Sequence, residues 1–444
     1  MRRLIHTSGL VAAMENNKDT PEDDKKVGDN AESLETDLGE VKEAAAEGDQ
    51  NQADTDEAED TAAALEGFRV ALEGYQSQGG ISQEAAHFLT MQFTREAERV
   101  GITETSKLMP ALESFGGSNS RMQAGQIALE NLKETIQRVW KAIVEQIKKA
   151  ASWIEGYWNK VFGAAEKLKK RATALADAGR NANGTIKETT WENDRLAKEL
   201  AINNVPPTAI LQNVKDLKEV LSAVVTRGAA ITNTVGEEAV TAVSELNGEN
   251  ISKIAAACQP IIGTDVSDAE ARGVAPAPAG MKLVVSKELF GGQALFSRVP
   301  SEGGSDITAS TKVLGQTLYS VGKVSKNVKE PTSKKFATLK GPDAASIAEL
   351  VGEIADELLA YRKNVPKLKD LQKKLGSAAE KVANSAGQEE DEGKRKQLAA
   401  CQSIATASNR LFIQPGASFS KFALDKSKAV LDYIELSLKQ YESK

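Results

Sequence analysis

The side chains that could perform chemistry are few and poorly placed for it. The 444-residue chain holds two histidines, His6 and His87, and two cysteines, Cys258 and Cys401. Both histidines lie upstream of residue 113, so the rest of the chain has no imidazole to act as base, nucleophile or metal ligand. Two cysteines are too few for a disulfide framework and too far apart for a metal pair; in Ala-rich, helix-like surroundings they read as small buried thiols. No phosphate-binding glycine loop, dinucleotide fingerprint or His-Glu-x-x-His pair occurs. Gly291-Gly292 and Gly303-Gly304 read as turns, and the adjacent Glu389 and Glu390 as part of a charged surface turn. The reading is a protein that is not an enzyme and uses no cofactor.

What recurs instead is a peptide. Ala-Leu-Glu stands at 64–66, 71–73, 111–113 and 128–130 and nowhere later, and Ser33-Leu34-Glu35 resembles it. Chance predicts such a tripeptide on the order of once in a chain this long. All three residues are good helix formers, but helix preference alone would spread the copies through every helical stretch. They cluster instead around a change in charge. Residues 1–113 carry 10 basic and 25 acidic side chains, a net of −15; residues 114–444 carry 46 and 38, a net of +8. The two parts attract each other. The seam, Pro110 to Gly117, contains the bond Glu113–Ser114 in a setting that a protease can reach, whereas Glu130 lies inside a strong helical pattern.

The elements around the seam follow from periodicity. Residues 1–66 hold long runs without large apolar side chains and are expected to be a disordered acidic segment, at least in isolation. Residues 67–113 form a small helical part, with a helix opening at Ser82-Gln83-Glu84 after Ile81. Residues 114–260 form a basic helical region. Its strongest stretch, about 122–178, spaces Leu132, Ile136, Val139, Trp140, Ile143, Ile147, Trp153, Ile154 and Trp158 by threes and fours. Further helices are expected over 188–203, with Trp191 on the apolar face, over 208–226 and over 235–258. Residues 261–342 read as a mixed segment with short strands at 282–286, 293–299 and 316–321. Residues 343–444 return to helix, over 342–375, 394–409 and 419–441. The fold class is mainly α, a helical bundle or elongated helical body with a small β-containing insertion.

With these sites and this order of elements, the chain resembles the internal head proteins of giant phiKZ-like tailed bacteriophages. In phages of this kind a prohead protease removes propeptides after a small residue, any residue and Glu. The resemblance implies a virion protein made in the host cytoplasm and packaged inside the head. It implies an acidic propeptide cut finally at Glu113–Ser114, with Glu66, Glu73 and Glu35 as earlier or intermediate cuts. The partners would be the prohead protease, capsid or scaffold proteins and, without sequence specificity, packaged DNA.

The basic Trp-bearing helix leaves three uses open. Its Trp face can be core, while its cations can meet DNA or an anionic membrane surface. The contact candidates are Lys141, Lys148, Lys149, Lys160, Lys169, Lys170, Arg171, Trp153 and Trp158. A membrane-active or injected helical effector is therefore one alternative, and an unprocessed scaffold or adaptor a second. No apolar run reaches the ~18 residues of a membrane span.

Overall fold

A computed structural model of the chain describes residues 22–102, 118–266, 276–302, 306–324, 330–414 and 416–442. Its axis is α3, Ser118–Asn181, a 64-residue helix about 96 Å long at 1.5 Å per residue. The apolar positions read from the sequence are its buried face: Leu132, Ile136, Val139, Ile143, Ile147 and Ile154 are all inaccessible to solvent.

Against α3 lies α1, Glu22–Ser77. Here the expectation of disorder through residue 66 is corrected for residues 22–66, which are helix; residues 1–21 lie outside the described residues. The physical reason is a sparse stripe. Leu34, Leu38, Val41 and Ala45, then Ala58, Ala62, Leu65 and Leu72, recur at helical spacing and are buried. Long polar runs between them hid the stripe, which is too thin to hold a helix alone but sufficient with a partner surface. The turn Gly79-Gly80, with φ of 99° and 101°, reverses the chain into α2, Gln83–Arg99. As expected, Ser82 caps this helix, its hydroxyl accepting from the Ala85 N–H at 3.2 Å. Ile81 is fully buried beside the cap.

Beyond α3, the expected helix over 188–203 is corrected in its first part. Trp191 lies in a strand, β1 (Thr190–Glu192), and the helix proper is α4, Asp194–Leu200, capped by Asn193. An aromatic cluster favours the strand: the Trp191 ring stacks on Phe336 at 5.3 Å and meets Tyr433 at 5.7 Å. Next, α5 (Ile210–Ala223) runs through a π-helical turn, Val224–Gly228, into α6 (Ala229–Ser244). Helix therefore continues through the glycine-punctuated stretch Arg227 to Gly236 rather than stopping there. Gly236 is needed there because a Cβ would come 2.6 Å from the Phe412 ring. The helix expected through 258 breaks at Leu246 (φ 55°) and resumes as α7, Ile251–Ala257.

The β-containing segment holds β2 (Thr264–Asp265), β3 (Met281–Val285) and β4 (Gln293–Pro300), then α8 (Ile307–Gln316), β5 (Leu318–Lys323) and β6 (Lys335–Ala337). Strands β2-β3-β4-β5 form an antiparallel sheet in that order, and β1 pairs with β6. The three expected strands are present; α8 is a helix that the strand-rich surroundings concealed. The expected helix 342–375 is two: α9, Gly341–Ala360, and α10, Val365–Ser385, whose first turn carries Pro366. A proline lacks the N–H to continue the earlier helix but fits the first turn of a new one. Finally come α11, Glu392–Ile413, and α12, Gly416–Leu438. The fold is mainly α with small sheets, as read. One hydrophobic cluster contains Leu34 to Ala97 from upstream of the seam and Ala124 to Ile434 from downstream.

Candidate functional site

The predicted bond Glu113–Ser114 lies outside the described residues, between α2 and α3. What the structure describes is the surface on which the upstream arm, α1 with α2, is held. Its apolar part is the α1 stripe against α3. Its polar part matches charge across the seam. Lys167 reaches Asp37 at 2.7 Å, Lys428 reaches Glu35 at 3.0 Å, Arg410 lies 3.5 Å from Asp56, and Arg395 meets Glu73 at 2.7 Å. One pair runs the other way, Lys42 to Asp425 at 3.2 Å. Pairs of this kind contribute about 0.2–1 kcal/mol each, whereas burying each of Leu34, Leu38, Val41, Leu65 and Leu72 contributes ~1.5–3 kcal/mol. Apolar contact therefore holds the arm, and the ion pairs set its register.

A buried polar chain crosses the same interface. Gln372 donates to the Ile147 carbonyl at 2.7 Å and to Asn409 Oδ1 at 2.6 Å, and Asn409 donates to Gln52 of α1 at 3.4 Å. Next to it, Glu59 accepts from the Ser403 hydroxyl at 3.2 Å. Burial pushes the Glu59 and Asp56 carboxyls above their ordinary range, with Arg410 opposing it.

The candidate residues divide sharply. Glu35, Glu66 and Glu73 lie within helix α1, in a backbone form a protease cannot bind directly. Of the contact candidates, Lys141, Lys149 and Lys170 are exposed. Lys148 is engaged by Glu380, and Lys169 pairs with Asp356 at 2.7 Å. Lys149, Lys160 and Trp153 line a groove whose other wall is α1, with Glu47 and Asp54. The Trp153 indole donates to the Ala44 carbonyl at 2.7 Å, so the arm covers it.

Two candidates are corrected. Trp158 is buried, stacked on Tyr361 at 4.3 Å. Arg171 is 2% exposed and holds Asp432 at 2.7 Å and Glu435 at 2.6 Å. Neither faces a ligand in this fold; the apolar stripe claims one and a buried ion pair the other. Sequence reasoning missed Arg395, Arg410 and Lys428, whose partners Glu73, Asp56 and Glu35 are remote in the chain, and Arg69, which bridges its near neighbours Glu66 and Glu73. The charge imbalance across the seam was the signal that such partners exist.

Both cysteines are buried, and burial raises each thiol to about 12, so neither is a nucleophile. Among the described residues no group of His, Cys, Asp and Glu is arranged to hold a metal ion, and no helix is long and apolar enough to cross a membrane.

No curated protein and no solved structure matches the chain. The family description of the phiKZ-like phage internal head proteins, by contrast, matches residues 10–436. That match spans nearly the whole sequence, and the chain belongs to the phiKZ-like phage internal head proteins.

Proposed function

We propose that this internal head protein is a non-enzymatic structural component of the virion, made as a precursor whose acidic arm is a propeptide. The prohead protease makes the final cut at Glu113–Ser114, with Glu66, Glu73 and Glu35 as further sites. The mature basic body then lies against packaged DNA or the inner capsid. The observation that carries this reading is the match of charge across the seam. An arm of net −15 sits on a body of net +8, covers Trp153 and sets Glu47 and Asp54 across a groove from Lys149 and Lys160. Removing it changes the sign of the protein and takes the acidic wall of Glu47 and Asp54 away from Lys149 and Lys160 as DNA enters. The alternative of a membrane-active helix loses support because Trp158 is core and Trp153 bonds to the arm.

Intact mass and N-terminal sequencing of the protein from mature particles test the proposal. The expected chain begins at Ser114; a chain beginning at Met1 would overturn processing and favour an unprocessed scaffold. A start after Glu66 or Glu73 would move the final cut into α1.

A further inference from the structure

Glu66 and Glu73 stand one heptad apart in α1, in the repeated peptides Ala64-Leu65-Glu66-Gly67-Phe68 and Ala71-Leu72-Glu73-Gly74-Tyr75. Between them lies Arg69, 1% exposed. Its Nε donates to Glu73 at 3.0 Å, its Nη1 lies 3.8 Å from Glu66, and its Nη2 donates to the main-chain carbonyl of Glu389 beyond α10. From α11, Arg395 Nη1 donates to both oxygens of Glu73, at 3.0 and 2.7 Å. Two arginines thus clasp the carboxylate of one site and approach that of the other. A protease that reads glutamate has to take the carboxylate into its own pocket and the flanking backbone in extended form. With α1 docked, neither is free.

The following residues point the opposite way. A Cβ on Gly67 or on Gly74 would meet nothing within 4 Å, and neither glycine has a positive φ. Neither packing nor backbone geometry demands glycine there. Gly48 of the same helix differs: its Cβ would come 2.3 Å from the Trp153 ring. Each unneeded glycine weakens the helix about fivefold relative to alanine, at the residue just past each glutamate.

We propose that Glu66–Gly67 and Glu73–Gly74 are cryptic cleavage sites, closed by the Arg69–Glu73–Arg395 clasp while α1 is docked and opened through the glycine-weakened helix once α1 lifts from α11. This rests on the reading that the arm is removed by proteolysis, and adds the order: the arm loosens first, and the cuts in α1 follow and prevent its return.

The test is native-state proteolysis of the full chain with a bacterial endopeptidase specific for glutamate. Each bond is quantified by mass spectrometry and normalised to a synthetic peptide of residues 60–80. R395A is expected to speed both cuts about tenfold, the worth of one charge-assisted hydrogen bond. The G67A/G74A pair is expected to slow each about fivefold after normalisation to a peptide with the same changes. Wild-type bonds cut as fast as those of R395A, or rates unmoved by G67A/G74A, would overturn the proposal. Should R395A loosen the whole chain, seen as a lowered melting temperature, the glycine pair decides alone. A Met1 start in mature particles would sink the processing reading and leave these rates untouched.

Discussion

Arg171 shows how a single side chain can be misread. In the sequence it closes a run of lysines on a basic helix; in the fold it is the centre of a buried ion cluster whose acidic members lie 261 and 264 residues away. No local pattern encodes such a partner. Asp432 is held in turn by Arg195 at 2.7 Å and Lys428 at 3.1 Å. Burial opposes its charge, but Arg171, Arg195 and Lys428 outweigh burial and hold the carboxyl below its usual range; Glu435 is lowered likewise. For such groups the stabilisation is present above the unfolded carboxyl range and lost as pH falls through the depressed folded value. Asp432→Ala, which leaves Arg171 buried with one partner fewer, is expected to cost about 3–5 kcal/mol in urea unfolding at pH 7. The penalty should shrink as pH falls below about 4. The cysteines and Trp140, by contrast, were legible, because small thiols and ring stripes at helical spacing are buried for reasons that need no remote partner.

At the scale of elements, α3 and α2 were readable because their signals are local: dense apolar spacing in one and a serine cap in the other. Helix α1 was not, since its stripe is stabilised by a surface that only the folded body provides. The break before α10 was encoded in Pro366, and the strand holding Trp191 depended on Phe336 and Tyr433, which come from elsewhere in the chain. The docking of α1 should also respond to pH. Because burial raises the Glu59 carboxyl, its contribution is full below the unfolded value and is lost as pH rises through the raised one. Glu59→Gln is therefore expected to tighten α1 at pH 7, slowing amide hydrogen exchange over residues 50–66 a few-fold (on the order of 1 kcal/mol). Near pH 4 the variant and the parent should exchange alike. Equal exchange at both pH values would show that Glu59 is ionised without cost.

For the whole molecule, the division at the seam was correct in charge but says nothing of packing, since one hydrophobic cluster spans both sides. The site inherits the same split. The cut expected at Glu113 rests on the recurring peptide, the change in charge and the family resemblance, while the clasp and the groove required the fold. A body freed of its arm after folding is expected to bind duplex DNA of any sequence at about 50 mM salt and to release it by about 200 mM. The full chain, net −7, should not bind at either, and a filter-binding titration in both salts reads the difference.

That shared cluster also gives the protein a history. A polypeptide synthesised from Ser114 onward would never meet Leu34, Leu38, Val41, Leu65 or Leu72, although α3 presents a face shaped around them. If the arm is removed as proposed, folding and trimming are then not interchangeable steps. A body trimmed after folding is expected to keep a shape that the same body synthesised alone would not reach, held by the height of its unfolding barrier rather than by the depth of its minimum, and comparing the refolding of the two checks it.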